Sequence, residues 1–200
     1  MNVVLFDYGA GNLHSLRKAL ECAGVRALIT ADWTEALGQD GLVLPGVGAF
    51  GAAAGALPAD LADLRTALDR GLPCLGICLG MQLLFDRSEE SEGAGIGLFP
   101  GSVRKLEAPV VPQMGWNDVD ATPDPLFDGL PPLVAYYANS YVCEPADSDD
   151  VIAWSEYGGV RFAAAVRRAR TWGVQFHPEK SSQPGRRLIA NWVRLAGGRS

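Results

Sequence analysis

The chain is short of several things, and each shortage removes a class of function. Basic residues are outnumbered, 17 Lys and Arg against 23 Asp and Glu, for a net charge of −6. That balance argues against nucleic-acid binding as the main task. No apolar run approaches the length of a membrane span. The N-terminus, Met1 to Asp7, has no basic lead and reads as a first strand, not as a signal peptide. The four cysteines (Cys22, Cys74, Cys78, Cys143) show neither C-x-x-C nor metal-ligand spacing. Reduced thiols in a cytoplasmic protein are expected, with Cys22, Cys74 and Cys143 buried and inert. Histidine is the scarcest reactive side chain, with two, His14 and His177. Any imidazole-dependent chemistry therefore has almost no choice of residue.

What is present is a block of 200 residues, enough for one domain spanning 1–200 with a sizeable core. In its first half, strand-length apolar runs alternate with helical periodicity. Val3 to Asp7, Val25 to Thr30, Gly41 to Leu44 and Cys74 to Cys78 read as strands. Leu13, Leu16, Leu20 and Ala23 form one helical stripe, and Leu57, Leu61, Leu64 and Leu68 another. This order predicts an α/β fold: an open, mostly parallel sheet with helices on both faces. In the second half, Leu133 to Val142, Val151 to Tyr157, Phe162 to Val166 and Thr171 to Phe176 are short, close together and rich in aromatic and β-branched residues. They predict antiparallel hairpins. Gln183 to Leu195 reads as a closing helix.

The strongest local signal is Gly76-Ile77-Cys78-Leu79-Gly80. A strand ends at the cysteine and a helix begins after it, with glycine two residues away on either side. That is the pattern of a nucleophile elbow, with Cys where Ser often stands, and the helix start behind it favours thiolate. His177 follows the apolar run Trp172 to Phe176 and precedes Pro178 and Glu179. Cysteine, histidine and carboxylate are the parts of a nucleophilic triad: Cys78 attacks, His177 moves the proton, and Glu179 fixes the ring's tautomer. Taken alone, His-Pro-Glu would be an ordinary turn with a solvated carboxylate. An acyl-transfer site also needs an oxyanion hole. The Leu79 amide is one donor. The glycine-rich turn Pro45-Gly46-Val47-Gly48 supplies the other, through Gly46 or Val47. His14, on the first helix, reads as an exposed helical residue.

Together, Cys78, Gly46-Val47-Gly48 and His177-Pro178-Glu179 resemble the class I (triad) glutamine amidotransferases, over nearly the whole chain. Asp7 to Leu13, Leu44 to Phe50, Gly76 to Phe85, Pro112 to Asn117 and Gln175 to Ser181 are similar to one branch, the glutaminase subunits of imidazole glycerol phosphate synthase. The resemblance implies a flavodoxin-like amidotransferase fold that hydrolyses L-glutamine through a Cys78 thioester and needs no cofactor or metal. It implies a heterodimer with a (β/α)8-barrel synthase subunit, into which ammonia passes to form imidazole glycerol phosphate and AICAR in histidine biosynthesis. Gly48, Gln82, Glu90, Ser140 and Tyr141 match positions that hold glutamine. Asn12, Met114, Trp116, Tyr136 and Lys180 match positions facing the partner; a buried anchor is the other reading of Trp116. Two residues depart from the pattern: Gln113 and Asn139 stand where the family usually has histidine. The alternatives are the glutaminase of another synthase, such as pyridoxal phosphate synthase, a non-catalytic regulatory subunit, and a cysteine peptidase or γ-glutamyl hydrolase.

Overall fold

In the computed structural model, residues 1–9, 13–46 and 48–198 are described. The first half forms β1 (Asn2–Phe6), α1 (Leu13–Cys22), β2 (Arg26–Thr30), α2 (Trp33–Leu37), β3 (Gly41–Leu44), α3 (Phe50–Gly55), α4 (Ala62–Asp69), β4 (Cys74–Ile77) and α5 (Leu79–Gln82). The second half adds β5 (Phe85–Ser88), β6 (Phe99–Lys105), β7 (Gln113–Ala121), β8 (Leu133–Asn139), β9 (Tyr141–Pro145), β10 (Val151–Tyr157), β11 (Val160–Arg168), β12 (Thr171–Val174) and α6 (Ser182–Gly197).

One nine-stranded sheet runs in the order β2-β1-β3-β4-β12-β11-β10-β7-β8. From β2 to β12 every pairing is parallel, and from β12 to β8 every pairing is antiparallel. The parallel part has the flavodoxin-like strand order, with β12 in the fifth place. Apart from the edge strand β2, its strands are buried on both faces, so their alternating side chains feed two cores. Val3 and Leu5 pack with Leu16 and Leu20 of α1 and Leu188, Ile189 and Trp192 of α6. Val4 and Phe6 pack with Ala36 of α2 and Leu64 and Leu68 of α4 on the opposite face. The expected α/β architecture, with helices on both faces and antiparallel strands in the second half, is the one observed.

Several local expectations need correction. The leucine stripe from Leu57 to Leu68 is not one helix. α3 ends at Gly55 and α4 starts at Ala62, so Leu57 lies in the intervening turn and Leu61 at the helix boundary. Leu133 to Val142 is not one strand. It breaks at Ser140 into β8, in the large sheet, and β9, which joins β5 and β6 in a separate three-stranded sheet. Thr171 to Val174 pairs antiparallel with β11 on one side but parallel with β4 on the other. Five elements, α2, α3, β5, β6 and β7, lie outside the segments that the sequence predicts as helix or strand. Cys22 is exposed, whereas Cys74 and Cys143 are buried as expected. Burial pushes both of those thiols well up, keeping them protonated and unreactive.

In a sheet of this order, the carboxyl ends of neighbouring parallel strands open on a common crevice. β3, β4 and β12 lie side by side. The turn after β3 (Pro45 to Gly48), the residue after β4 (Cys78) and the turn after β12 (His177) therefore meet at one edge.

Candidate active site

Cys78 adopts φ 49° and ψ −104°, one of few non-glycine residues described at positive φ. Such a conformation costs of order 1–3 kcal/mol and persists only where its surroundings enforce it. Here the enforcement is steric. A Cβ on Gly76 would lie 2.6 Å from the Gly80 carbonyl oxygen, and one on Gly80 would collide with the Leu44 carbonyl. Neither position has room for any other residue, as the elbow pattern requires. The Cys78 N–H donates to the Val174 carbonyl at 2.7 Å, which ties the elbow to β12. The Leu79 amide is the first of α5, where a helix offers no acceptor of its own.

The imidazole reaches this thiol from the next strand. Thr171, Trp172, Gly173 and Val174 lie in register with Cys74, Leu75, Gly76 and Ile77. Three residues beyond Val174, His177 is 2% exposed, and its Nδ1 lies 2.9 Å from Glu179 Oε1. Cys78 lines the same cleft and acts on the ring as well. Burial is the largest single influence and pushes the imidazole down. The hydrogen bonds and negative charges of Cys78 and Glu179 together outweigh it, so the ring is pushed up to about 9. The charged form of the ring is therefore favoured at neutral pH. Sulfur, ring and carboxylate are thus brought together from positions far apart in the chain.

Around them is a cleft of about 300 Å³, at the small end of the range for ligand sites. Gly46, Gly48, Cys78, Leu79, Gln82, Glu90, Ser140, Tyr141, His177 and Lys180 line it, with Ala138 and Asn139. Every expected glutamine-holding residue is there. Gly46 passes so close to the nucleophile that a Cβ on it would sit 2.9 Å from Cys78 Cβ and 2.6 Å from the Ile77 carbonyl oxygen. Val47 lies outside the described residues. Glu90 is half-buried, and its Oε2 accepts the Phe50 N–H at 2.7 Å, while neighbouring Glu89 turns away to the Lys105 N–H. Gln82 Nε2 donates to the Tyr141 carbonyl at 3.3 Å, and Asn139 Nδ2 donates to the same oxygen at 3.1 Å. A larger hollow of about 730 Å³ lies at the proline-rich loop 122–132. It contains none of the candidate residues, and Asp124 in it is taken up by Arg167.

One contact was missed from the sequence: Gln175 Nε2 donates to Cys78 Sγ at 3.5 Å. A fully buried amide inside the apolar run Trp172 to Phe176 was the available signal. Gln113 and Asn139 sit opposite one another across β7 and β8, both buried. Neither amide atom of Gln113 finds a partner among the described residues. His14 is exposed on α1. Among the described residues no group of three or more His, Cys, Asp or Glu side chains is placed to hold a metal ion.

On the outer strands, Met114 and Trp116 are 63% and 55% exposed, which decides against Trp116 as a buried anchor. Trp116 meets Tyr136 edge to face at 6.1 Å, and Lys180 Nζ lies 5.7 Å from the Tyr136 ring centroid. Asn12, assigned to the same face, lies outside the described residues.

A sequence model of the family described as glutamine amidotransferase class-I matches residues 4–195. The chain belongs to the class-I glutamine amidotransferases. Among curated relatives, imidazole glycerol phosphate synthase subunit HisH of Leifsonia xyli is 45% identical, covering 96% of this chain and 97% of that protein. The protein of the same name from Corynebacterium glutamicum is 39% identical, with the same coverage. The one from Thermobifida fusca is 42% identical, again over 96% and 97%. Solved structures agree on the fold. A crystal structure of a glutamine amidotransferase superposes with TM-score 0.77 at 20% identity over 98% of this chain and 99% of that one. PurLQS from Thermotoga maritima gives 0.75 at 17% identity over 96% and 97%.

Proposed function

We propose that the chain is the glutamine-hydrolysing subunit of an imidazole glycerol phosphate synthase. It is one amidotransferase domain working in the cytoplasm, paired one-to-one with a (β/α)8-barrel synthase subunit. The observation that carries the chemistry is the Cys78 elbow beside a His177 ring that Glu179 holds at 2.9 Å. The choice of synthase rests on the near full-length similarity to proteins named as that subunit.

The reaction follows from the charges. Cys78, as thiolate, attacks the side-chain carboxamide carbon of L-glutamine. The oxygen of the tetrahedral intermediate takes the Leu79 N–H and a donor from the Gly46-Val47 turn. His177, as imidazolium, gives its proton to the departing nitrogen, and ammonia leaves a γ-glutamyl thioester on Cys78. Water then attacks the thioester carbon and gives a proton back to His177. The C–S bond breaks, glutamate leaves, and the thiolate–imidazolium pair is restored. Glu90 pairs with the substrate ammonium, while Gln82 and the Ser140-Tyr141 backbone shape the wall of the pocket. Met114, Trp116, Tyr136 and Lys180 face the barrel, and apolar and aromatic exposure on that scale suits an interface. Docking keeps the ammonia out of water, where it would become ammonium.

The test is co-purification with a barrel subunit and measurement of glutamate release with and without that subunit's nucleotide ligand. Release that rises steeply on docking and again with the ligand is expected. Rapid release by the isolated chain would contradict obligate coupling, and hydrolysis of peptides instead of glutamine would favour a peptidase. The four cysteines are unbridged, in keeping with a reducing compartment. Among the described residues no helix is long and apolar enough to cross a membrane.

A further inference from the structure

Ser181 stands at the N-cap of α6, yet its side chain makes no capping hydrogen bond. A serine in that position ordinarily accepts from a free amide of the first turn. Ser181 is fully buried and spends its hydroxyl elsewhere. Its Oγ donates to the His177 carbonyl at 2.6 Å and accepts the Tyr136 N–H at 2.9 Å. The His177 N–H in turn donates to the Tyr136 carbonyl at 2.8 Å. His177 and Tyr136 are therefore joined twice, once directly and once through the serine.

The serine is itself clamped. A Cβ on Gly185 would lie 2.8 Å from Ser181 Cβ and would also strike the Pro178 carbonyl, so the first turn of α6 presses directly on it. Tyr136 is the residue whose ring meets Trp116 and Lys180 on the exposed face of β7 and β8. Its backbone thus carries two loads: the aromatic face outside and the histidine turn inside.

We propose that Ser181 is a positioning residue for His177, and that through it the seating of Tyr136 on the outer strand sets the alignment of the imidazole against Cys78. This rests on the reading of Cys78 and His177 as the reacting pair. A base displaced by an ångström loses most of its effect, while a pocket wall built from other residues is left intact. The loss from breaking the link therefore falls on turnover and not on substrate binding.

The two-histidine composition makes the test direct, because ring-labelled histidine gives only two sets of signals, His14 and His177. In wild type the His177 signal should titrate near 9, far from the ordinary imidazole value of 6.5. Ser181→Ala should shift that midpoint downward. In the complex with the synthase subunit it should lower kcat for glutamine hydrolysis roughly 10- to 100-fold, with KM changed less than about twofold. Ammonia-dependent synthesis by the partner should be unaffected. Ser181→Cys, nearly isosteric but a weaker hydrogen-bonding group, should fall between, and it carries the test if the alanine variant does not fold. A folded variant with lowered melting temperature but wild-type titration and kcat would make the serine merely structural and overturn the inference. A wild-type His177 that titrates like a free imidazole would remove the reacting pair itself, and the inference with it.

Discussion

The two turns that meet at the cleft are built on different principles. The Cys78 elbow is held by exclusion of volume: Gly76 and Gly80 touch backbone at distances no side chain tolerates, and Gly46 closes the third side. The His177 turn is held by hydrogen bonds: the ring is joined to the Glu179 carboxylate, the backbone N–H donates to the Tyr136 carbonyl, and the backbone carbonyl accepts from Ser181. A steric device either fits or fails. A hydrogen-bonded device can be loosened by degrees, and its bonds lead outward to β8 and the exposed aromatic face. The nucleophile is thus fixed by excluded volume, and the base by bonds that run to the outer strand.

The largest effect expected is at the sulfur. Cys78→Ala should abolish glutamine hydrolysis while leaving ammonia-dependent synthesis by the docked partner intact, measured as product formed from glutamine against product formed from ammonium salts. Loss of both in a folded, docked complex would break the division between the two subunits. Next is the steric side of the contrast. Gly80→Ala should destabilise the chain by about 3 kcal/mol or prevent folding, because the added Cβ would strike the Leu44 backbone carbonyl, which cannot swing aside. A denaturant melt indistinguishable from wild type would show that the elbow is not held by volume.

On the hydrogen-bonded side, Glu179→Gln keeps the shape and removes a charge. It should lower kcat about 100-fold and leave stability nearly unchanged. The sign for the ring follows directly. An anionic neighbour favours the charged imidazolium, so removing it must bring the His177 midpoint down from about 9 towards 6.5, and Cys78→Ala must do the same. A midpoint that rises or stays fixed in both variants would show that the two anions do not hold the ring. The smallest change in the site itself is expected from Trp116→Ala. It should weaken docking by about 2 kcal/mol, read as a roughly 30-fold rise in Kd by titration calorimetry.

The elbow was legible in the sequence because its requirement is local: glycines two residues either side of a cysteine at a strand end. The pairing with His177 was legible because the chain offers so few imidazoles. The parallel core could be read from continuous apolar strands, which need cover on both faces. What escaped had a non-local cause. β5 and β6 form a small sheet with β9, and nothing near Phe85 or Phe99 signals that pairing. The break at Ser140 sends β8 and β9 to different sheets although only the polar pair Asn139-Ser140 interrupts their apolar pattern. The roles of Gln175 and Ser181 depend on what lies across the sheet, and a buried amide or hydroxyl carries no mark of its partner in the sequence. The stripe from Leu57 to Leu68 misled because leucines at helical spacing also line a turn between two short helices.

The most direct test of the account is affinity labelling of the docked complex with a glutamine-like diazoketone, followed by peptide mapping. The account predicts one modified residue, Cys78, labelled at a saturable rate, slowed by added glutamine and lost in His177→Asn. Label on another residue, or label on Cys78 that glutamine does not slow, would contradict it.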